Sequence, residues 1–222
     1  MHKESKLKMQ WFKDNFIENN NIKILDVGSY DVNGSYRDIF KESEYHGLDI
    51  EKGENVDIVL QNPYDWSSIQ SNYYDVVISG QALEHVEFFW ITMKEMCRVL
   101  KKGGLICIIV PNNFKEHRYP VDCYRFFTDG LVALAKLYKL NILHCSMNQG
   151  EKKWINHLAK DAILIAKKTY SGIEEIVIKD YKLIELNHNE LCRPFKYKKQ
   201  NNNFIIRNIR RVLRIIIKLI DY

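Results

Sequence analysis

The sequence predicts an α/β fold in which a largely parallel sheet is covered by helices on both faces. Apolar runs of strand length alternate along the chain with segments in which apolar residues recur at helical spacing. The runs are largely apolar and do not alternate with polar residues along their length, which is typical of strands buried on both faces of a parallel sheet. With 222 residues, of which 46% are hydrophobic, the chain is large enough for one full domain and a shorter extension.

The predicted elements follow one another in a regular order. The strands are predicted at 22–28, 45–50, 56–60, 74–80, 105–111, 141–147 and 161–168. The helices are predicted at 5–19, 35–43, 83–100 and 128–140. Thr128 should cap the last helix, and the glycines and lysines of 101–104 should end the one before it. Residues 112–127 show neither the helical nor the strand periodicity of apolar residues, which predicts a long loop.

Charge divides the chain into two parts. Residues 193–222 carry a net charge of +8, whereas the rest of the chain carries −3. We therefore expect a domain over 1–168 and an extension over 169–222, in which 204–222 forms a basic amphipathic helix. This helix could pack against the domain, pair in a homodimer or lie on an anionic membrane surface. Nucleic-acid binding is not expected, because this segment has aromatic residues only at its ends.

The composition indicates a cytoplasmic protein, at most peripheral to the inner face of the membrane. Five cysteines are scattered without disulfide or zinc-ligand spacing, which favours a reducing compartment. The N-terminus has no apolar stretch of signal-peptide length, and no uncharged run approaches the roughly 20 residues that cross a bilayer.

The most informative segment follows the first strand and reads DVGSYDVNG over 26–34. Gly28 lets a ligand approach the backbone, and Asp49, near the end of the second strand, can accept both hydroxyls of a ribose. The diphosphate fingerprint GxGxxG is absent, because Tyr30 stands at its second glycine. Asp26 would repel phosphate but can face an ammonium group. S-adenosylmethionine has a ribose, an adenine and an amino acid but no phosphate, and it fits this pattern.

Four segments together resemble the successive motifs of the class I S-adenosylmethionine-dependent methyltransferases. They are ILDVGSYDVNG, YHGLDI, YYDVVISGQALEHVEFFW and RVLKKGGLICIIVP, in the family's order and spacing. The resemblance implies a Rossmann-like, doubly wound sheet of seven strands, mostly parallel, with 141–147 and 161–168 as the closing antiparallel pair. GSYDVNGSYR and HRYPVDCYRFFTDG are also similar to a subgroup found among bacterial glycan and secondary-metabolite methyltransferases.

The resemblance also assigns cofactor roles to single residues. Asp49 is implied to bind the ribose, and Ile50 and Asn62 are implied to contact the adenine. The residues implied to surround the methionine part and the sulfonium are Asp26, Gly28, Ser29, Tyr30, Gly34, Ser79 and Gly80. The sequence departs from the family's usual GxGxG at Tyr30, Val32 and Gly34. Asp49 and Asn62 also have a purely structural interpretation, in which they stabilise their own loops.

The acceptor side is predicted from two histidines and the long loop. Methyl transfer to a hydroxyl needs alignment and the removal of a proton. Histidine titrates near neutral pH, so the candidate bases are His85 and His117, and Tyr119 is a further catalytic candidate. The loop carries possible substrate contacts, Arg118, Asp122, Tyr124 and Arg125, although its arginines and aspartate could equally pair with each other. No metal site is expected, because no acidic pair follows the fifth strand.

The sequence therefore predicts an enzyme that transfers a methyl group from S-adenosylmethionine, at oxygen, to a small molecule. A sugar, a nucleotide-sugar or a phosphorylated surface-glycan precursor is the expected acceptor, in polysaccharide biosynthesis. Two alternatives stay open. One is a non-catalytic protein of the same fold that binds a partner, and the other is a lipid or quinone methyltransferase at the membrane.

Overall fold

The computed structural model describes residues 3–32, 34–147 and 160–171. Its helices are α1 (Lys3–Phe16), α2 (Phe89–Val99) and α3 (Thr128–Leu137). Its strands are β1 (Lys23–Val27), β2 (Glu44–Asp49), β3 (Ile58–Val59), β4 (Tyr74–Gly80), β5 (Leu100–Asn113), β6 (Asn141–Met147) and β7 (Lys160–Lys167). Short 3-10 turns lie at Arg37–Phe40 and Leu83–His85.

The seven strands form one sheet in the order β3-β2-β1-β4-β5-β7-β6. Strands β1 to β5 pair in parallel, and β7 pairs antiparallel with both β5 and β6. The predicted seven-stranded, mostly parallel α/β fold is confirmed. The chain moves outward from β1 to β3 and then returns to place β4 beside β1. A crevice therefore opens beyond the carboxyl ends of β1 and β4, where ligands bind in such sheets.

Both faces of the sheet are buried, as the apolar strands require. Successive residues of β1 point to opposite faces of the sheet, so Ile24 and Leu25 belong to two separate apolar clusters. Met9 and Phe12 of α1 cover the face of Ile24, together with the 3-10 turn at Arg37–Phe40. Helices α2 and α3 cover the other face. The two layers fix the strand ends, on which the candidate site is built.

The helix after β4 begins later than predicted. Leu83–His85 forms a 3-10 turn, Val86 is extended, and α2 starts at Phe89. The backbone N–H groups of Cys123 and Tyr124 donate to the Glu84 carbonyl at 2.7 and 3.2 Å. A helix from Leu83 would need that carbonyl for itself, so the long loop ends the helical pattern here.

Three other boundaries also differ from the predictions. Residues 101–104 do not cap a helix, because α2 ends at Val99 and Gly103 and Gly104 exchange backbone hydrogen bonds with Lys168. Among the residues that the structure describes between β1 and β2, the only helical segment is the turn Arg37–Phe40. Thr128 is the first residue of α3, and Phe127 occupies the N-cap position without a side-chain cap.

The predicted helix at 204–222 and all but the first three residues of the extension lie outside the described residues. Among the helices that the structure describes, none has the length and apolar character needed to cross a membrane.

Candidate active site

The loop after β1 is shaped by Gly28. Its φ of +78° lies in the left-handed region that favours glycine, and its N–H donates to the Leu48 carbonyl at 2.9 Å. A Cβ at this position would overlap the side chain of Ala82, which follows β4. The glycine therefore lets the ends of β1, β2 and β4 come together around one crevice.

Asp26 is buried at the end of β1, with 3% of its surface exposed. The hydroxyl of Tyr45 donates to Oδ2, whereas Oδ1 has no hydrogen-bond partner among the residues that the structure describes. Burial raises the pKa of this carboxyl to about 7, against the smaller opposing effect of the Tyr45 hydrogen bond. The site thus contains an acid that is ready to ionise when a cationic group reaches it.

Asp49 ends β2 and joins the two loops at the edge of the crevice. Its Oδ2 accepts a hydrogen bond from the Tyr30 N–H at 2.9 Å, and its Oδ1 accepts one from the Ile50 N–H at 2.7 Å. The Glu51 N–H also donates to Oδ1, at the longer distance of 3.4 Å. The carboxylate is only partly buried, and Oδ2 keeps a further lone pair. Its geometry suits a carboxylate held in place to accept a hydroxyl group, and it also stabilises its own loop.

Asn55 supports this arrangement and was not found from the sequence. Its side-chain Nδ2 donates to the Ser29 carbonyl at 2.9 Å, and Ser29 Oγ donates back to the Asn55 carbonyl at 3.3 Å. Arg37 Nε donates to Asn55 Oδ1 at 2.7 Å. Asn55 has a left-handed φ of 70°. A sequence pattern does not show this backbone conformation, so the role of Asn55 in the loop could not be predicted.

The other predicted cofactor residues are placed around the same crevice in different ways. Ile50 leaves 46% of its surface exposed beside Asp49, as a side chain that packs on a flat ring would. Ser79 is buried and donates to the Val27 carbonyl at 2.9 Å, so its hydroxyl joins β4 to β1. The Tyr36 hydroxyl lies against Gly80, where any Cβ would overlap it.

Asn62, Gly34 and Tyr30 are engaged in loop structure. Asn62 Oδ1 accepts a hydrogen bond from the Tyr64 N–H at 3.0 Å, which forms a turn at this exposed position. The Gly34 N–H donates to Oδ1 of Asp31, and the Tyr30 ring packs on Gly53. The contact of Asn62 with an adenine stays a prediction.

The acceptor side is built where the long loop meets the turn after β4. Besides the two hydrogen bonds to the Glu84 carbonyl, the Tyr124 hydroxyl donates to the Glu87 carbonyl at 2.7 Å. The Tyr124 ring contacts Phe89 and Phe126 with centroid distances of 4.9 and 5.8 Å. These contacts hold the loop against the turn that follows β4 and against the start of α2.

The two predicted bases meet there, together with an acid that the sequence analysis missed. The His85 and His117 rings are in edge-to-face contact with centroids 4.9 Å apart, and His85 Nε2 lies 3.8 Å from Glu84 Oε1. Burial lowers the pKa of His85 and raises that of Glu84 to about 8. Glu84 falls within the pattern predicted as helix, and only the 3-10 turn carries its side chain inward.

The predicted substrate residues divide into two groups. Arg125 forms a two-point ion pair with Asp122, at 2.5 and 2.7 Å, and also donates to the Phe114 and Lys115 carbonyls. The Arg125 hydrogen bonds lower the pKa of Asp122 well below its usual range. Both side chains therefore fold the loop, and their contact with a substrate stays a prediction.

Among the loop residues predicted to take part in catalysis or substrate binding, Arg118 and Tyr119 are exposed. The Arg118 side chain is 76% exposed and pairs with Glu116 at 3.0 Å. Tyr119 leaves 56% of its surface exposed. Such side chains are available to a ligand that approaches the loop from solvent.

The crevice fits S-adenosylmethionine in its chemistry. The Oδ1 oxygen of Asp26 is a buried acceptor for an ammonium group, Gly28 leaves room at the backbone, and Asp49 can accept a hydroxyl group. None of these features favours a diphosphate, since both ionisable side chains are acids.

Comparison with known proteins agrees with this geometry. Residues 27–108 match the family described as a methyltransferase domain. No curated protein matches the sequence. A similar solved structure is the 4+2 cyclase SpnF, with a TM-score of 0.58 and 14% identity over 75% of this chain and 82% of that chain. Because this neighbour is a cyclase, the fold by itself does not determine the reaction.

Two methyltransferases have comparable similarity. An S-adenosylmethionine-dependent methyltransferase from Methanosarcina mazei has a TM-score of 0.55 and 16% identity over 72% of this chain and 98% of that chain. The 1,6-didemethyltoxoflavin-N1-methyltransferase of Burkholderia thailandensis was solved with S-adenosylhomocysteine. It has a TM-score of 0.54 and 14% identity over 76% of this chain and 78% of that chain. Residues 27–108 therefore match a methyltransferase domain, the sheet has the fold of the S-adenosylmethionine-dependent methyltransferases, and S-adenosylmethionine is the expected cofactor.

Proposed function

We propose that the protein transfers the methyl group of S-adenosylmethionine to an oxygen of a small, hydroxyl-rich molecule. The observation that carries this proposal is the arrangement of acids and histidines around one crevice. Asp26 and Asp49 supply acceptors that suit the ammonium group and the ribose of the cofactor, and the paired rings of His85 and His117 lie where the chain leaves β4.

The residues of the chain would bind the cofactor, orient the acceptor and remove the proton of the acceptor hydroxyl. When bound, the cofactor supplies an electrophilic methyl group on a sulfonium. Asp26 would hold the ammonium group through Oδ1, and Asp49 would hold the ribose through the remaining lone pair of Oδ2. The cluster of Glu84, His85 and His117 would take up the proton of the acceptor hydroxyl. The long loop would align the acceptor oxygen with the methyl carbon.

The acceptor class is argued from the exposed side of the loop. Arg118 and Tyr119 offer a cation and a phenol to solvent beside His117. Sugars, nucleotide-sugars and phosphorylated glycan precursors present hydroxyl and phosphate groups that such side chains recognise. We therefore place the acceptor among these compounds, in agreement with the resemblance of the loop to glycan methyltransferases.

The test measures the release of S-adenosylhomocysteine from S-adenosylmethionine with a panel of sugars, nucleotide-sugars and phosphorylated glycan precursors. Turnover with one of them is expected, and His85→Gln should lower kcat by about 100-fold or more because the proton-accepting cluster is broken. His46→Gln is the matched control, since His46 lies on β2 and bonds to Tyr74 at 3.0 Å. Tight cofactor binding without turnover on any member of the panel would instead indicate a non-catalytic protein.

A further inference from the structure

Three side chains near the mouth of the crevice form a group with the donors of a metal site. Glu84, His85 and His117 each offer one ligand atom, and these atoms all lie within 4.8 Å of one another. Ligands of one transition-metal ion stand about 3 to 3.5 Å apart, so small rotations of the side chains would bring the group to bonding distance. Two imidazole nitrogens and one carboxylate oxygen make a donor set that binds first-row divalent metals.

The carboxylate of Glu84 is the observation that points to a ligand. This residue is completely buried, and neither of its oxygens has a hydrogen-bond partner among the described residues. Buried carboxylates are otherwise paired or hydrogen-bonded, because leaving water without a partner costs several kcal/mol. The side chain lies beside His85 instead, with Oε1 at 3.8 Å from Nε2.

The hydrogen bonds around the histidines prepare them for coordination. His85 Nδ1 donates to the Val121 carbonyl at 2.6 Å, which leaves the lone pair of Nε2 on the side of Glu84. Metal-binding histidines commonly fix their second nitrogen in this way, through a backbone carbonyl or a carboxylate. His117 has Asp122 Oδ2 at 3.6 Å from Nδ1, and its backbone N–H donates to the same carboxylate oxygen at 2.6 Å.

The group adjoins the cofactor crevice. The 3-10 turn Leu83–His85 follows directly on Ala82, which lies against Gly28 of the β1 loop. We propose that Glu84, His85 and His117 bind a divalent first-row transition metal, whose open coordination positions take the acceptor oxygen. Three protein ligands leave at least one position open.

The part of this proposal that concerns the acceptor rests on the proposed function, whereas the binding of the metal does not. A hydroxyl group coordinated to a divalent ion loses its proton to solvent far more readily than a free one. The ion would then lower the pKa of the bound hydroxyl group, and solvent would take up its proton in place of a histidine. This proposal departs from the sequence analysis, which expected no metal.

The test is a titration of the full-length, chelator-treated protein with Co²⁺, followed by calorimetry and by visible absorption. We expect one Co²⁺ per chain, and Glu84→Gln, His85→Gln and His117→Gln should each weaken its binding by at least about tenfold. Glu87→Gln and His46→Gln are the matched controls and should leave the affinity unchanged. Circular dichroism and titration with S-adenosylhomocysteine show whether each variant is folded.

Two results would overturn the metal site. One is a wild-type protein that binds S-adenosylhomocysteine but shows no saturable Co²⁺ binding, or binds it equally well in all three variants. The other is an intense thiolate-to-cobalt absorption band in the wild-type complex, which would show that a cysteine binds the ion. This result can be obtained with the wild-type protein alone. Failure of the proposed function is distinguishable, because it would appear as Co²⁺ binding without S-adenosylhomocysteine binding. Loss of turnover on chelation and its recovery with added metal would support the role at the acceptor.

Discussion

Two carboxyl groups, those of Asp26 and Glu84, account for most of the chemistry that we assign to the crevice. Both are buried, and each has at least one oxygen without a hydrogen-bond partner among the described residues. Burial raises the pKa of Asp26 to about 7 and that of Glu84 to about 8. Acids that are kept in this state in an apolar interior are more common at functional sites than elsewhere.

Cofactor affinity should depend on pH through Asp26. The free protein keeps the Asp26 proton until the pH approaches 7, and Arg37, Asp49 and the Tyr45 hydroxyl modify this pKa. An ammonium group at Oδ1 favours the ionised carboxylate, so the bound state has a lower pKa and the affinity rises with pH. We expect the affinity for S-adenosylhomocysteine to increase on the order of tenfold between pH 5.5 and 7.5 and then to level off.

The control for this pH dependence is Asp26→Asn, which keeps the shape of the side chain and the acceptor for Tyr45 but cannot ionise. Its affinity should be lower at pH 7.5 and nearly constant over the same range. The same ionisation affects folding, because the raised pKa stabilises the fold at low pH and this contribution is lost as the pH rises toward 7. A wild-type affinity that does not change with pH would contradict the role of Asp26.

At the scale of elements, the loop between β1 and β2 depends on the close approach of the strand ends. Gly28 has a positive φ, and its missing side chain makes room for Ala82. Gly47 on β2 is similarly placed, with the Asn55 carbonyl at the position of a Cβ. The sheet and the cofactor loop are therefore held together by backbone contacts that tolerate little change.

Gly28→Ala should lower both stability and cofactor binding. The added Cβ forces a strained backbone and overlaps Ala82, so we expect a loss of about 1 to 3 kcal/mol in the free energy of unfolding by urea denaturation. Gly130→Ala is the matched control, since Gly130 lies in α3 with no heavy atom within 4 Å of an added Cβ. It should raise the stability by about 0.5 to 1 kcal/mol. A Gly28 variant as stable as wild type would show that the loop can move.

At the scale of the whole molecule, the sequence was sufficient to predict the sheet. The central strands are largely apolar runs, and Gly28 and Asp49 stand at strand ends, where the topology brings them to one edge. The start of α2 was wrong because residues far along the chain, Cys123 and Tyr124, take the Glu84 carbonyl. No local pattern contains that contact.

Contacts between residues far apart in the chain also explain why the arrangement of the predicted acceptor-side residues could not be read from the sequence. Asp122 and Arg125 were predicted either to contact substrate or to pair with each other, and the structure shows the ion pair inside the loop. Glu84 lies in a segment that was predicted as an amphipathic helix, and its side chain was not singled out. The grouping of Glu84 with His85 and His117 depends on how an aperiodic loop folds back, which only the three-dimensional contacts define.

The most direct test of this description is calorimetric titration of the full-length protein with S-adenosylhomocysteine at pH 7.5. We predict one site per chain, and Asp49→Ala should weaken binding by about 2 kcal/mol, since a charge-assisted contact with the ribose is lost. Glu51→Gln, an exposed neighbour of Asp49, should bind as wild type does. No binding at high micromolar concentration, or full affinity in Asp49→Ala, would contradict the assignment of this crevice to the methyl donor.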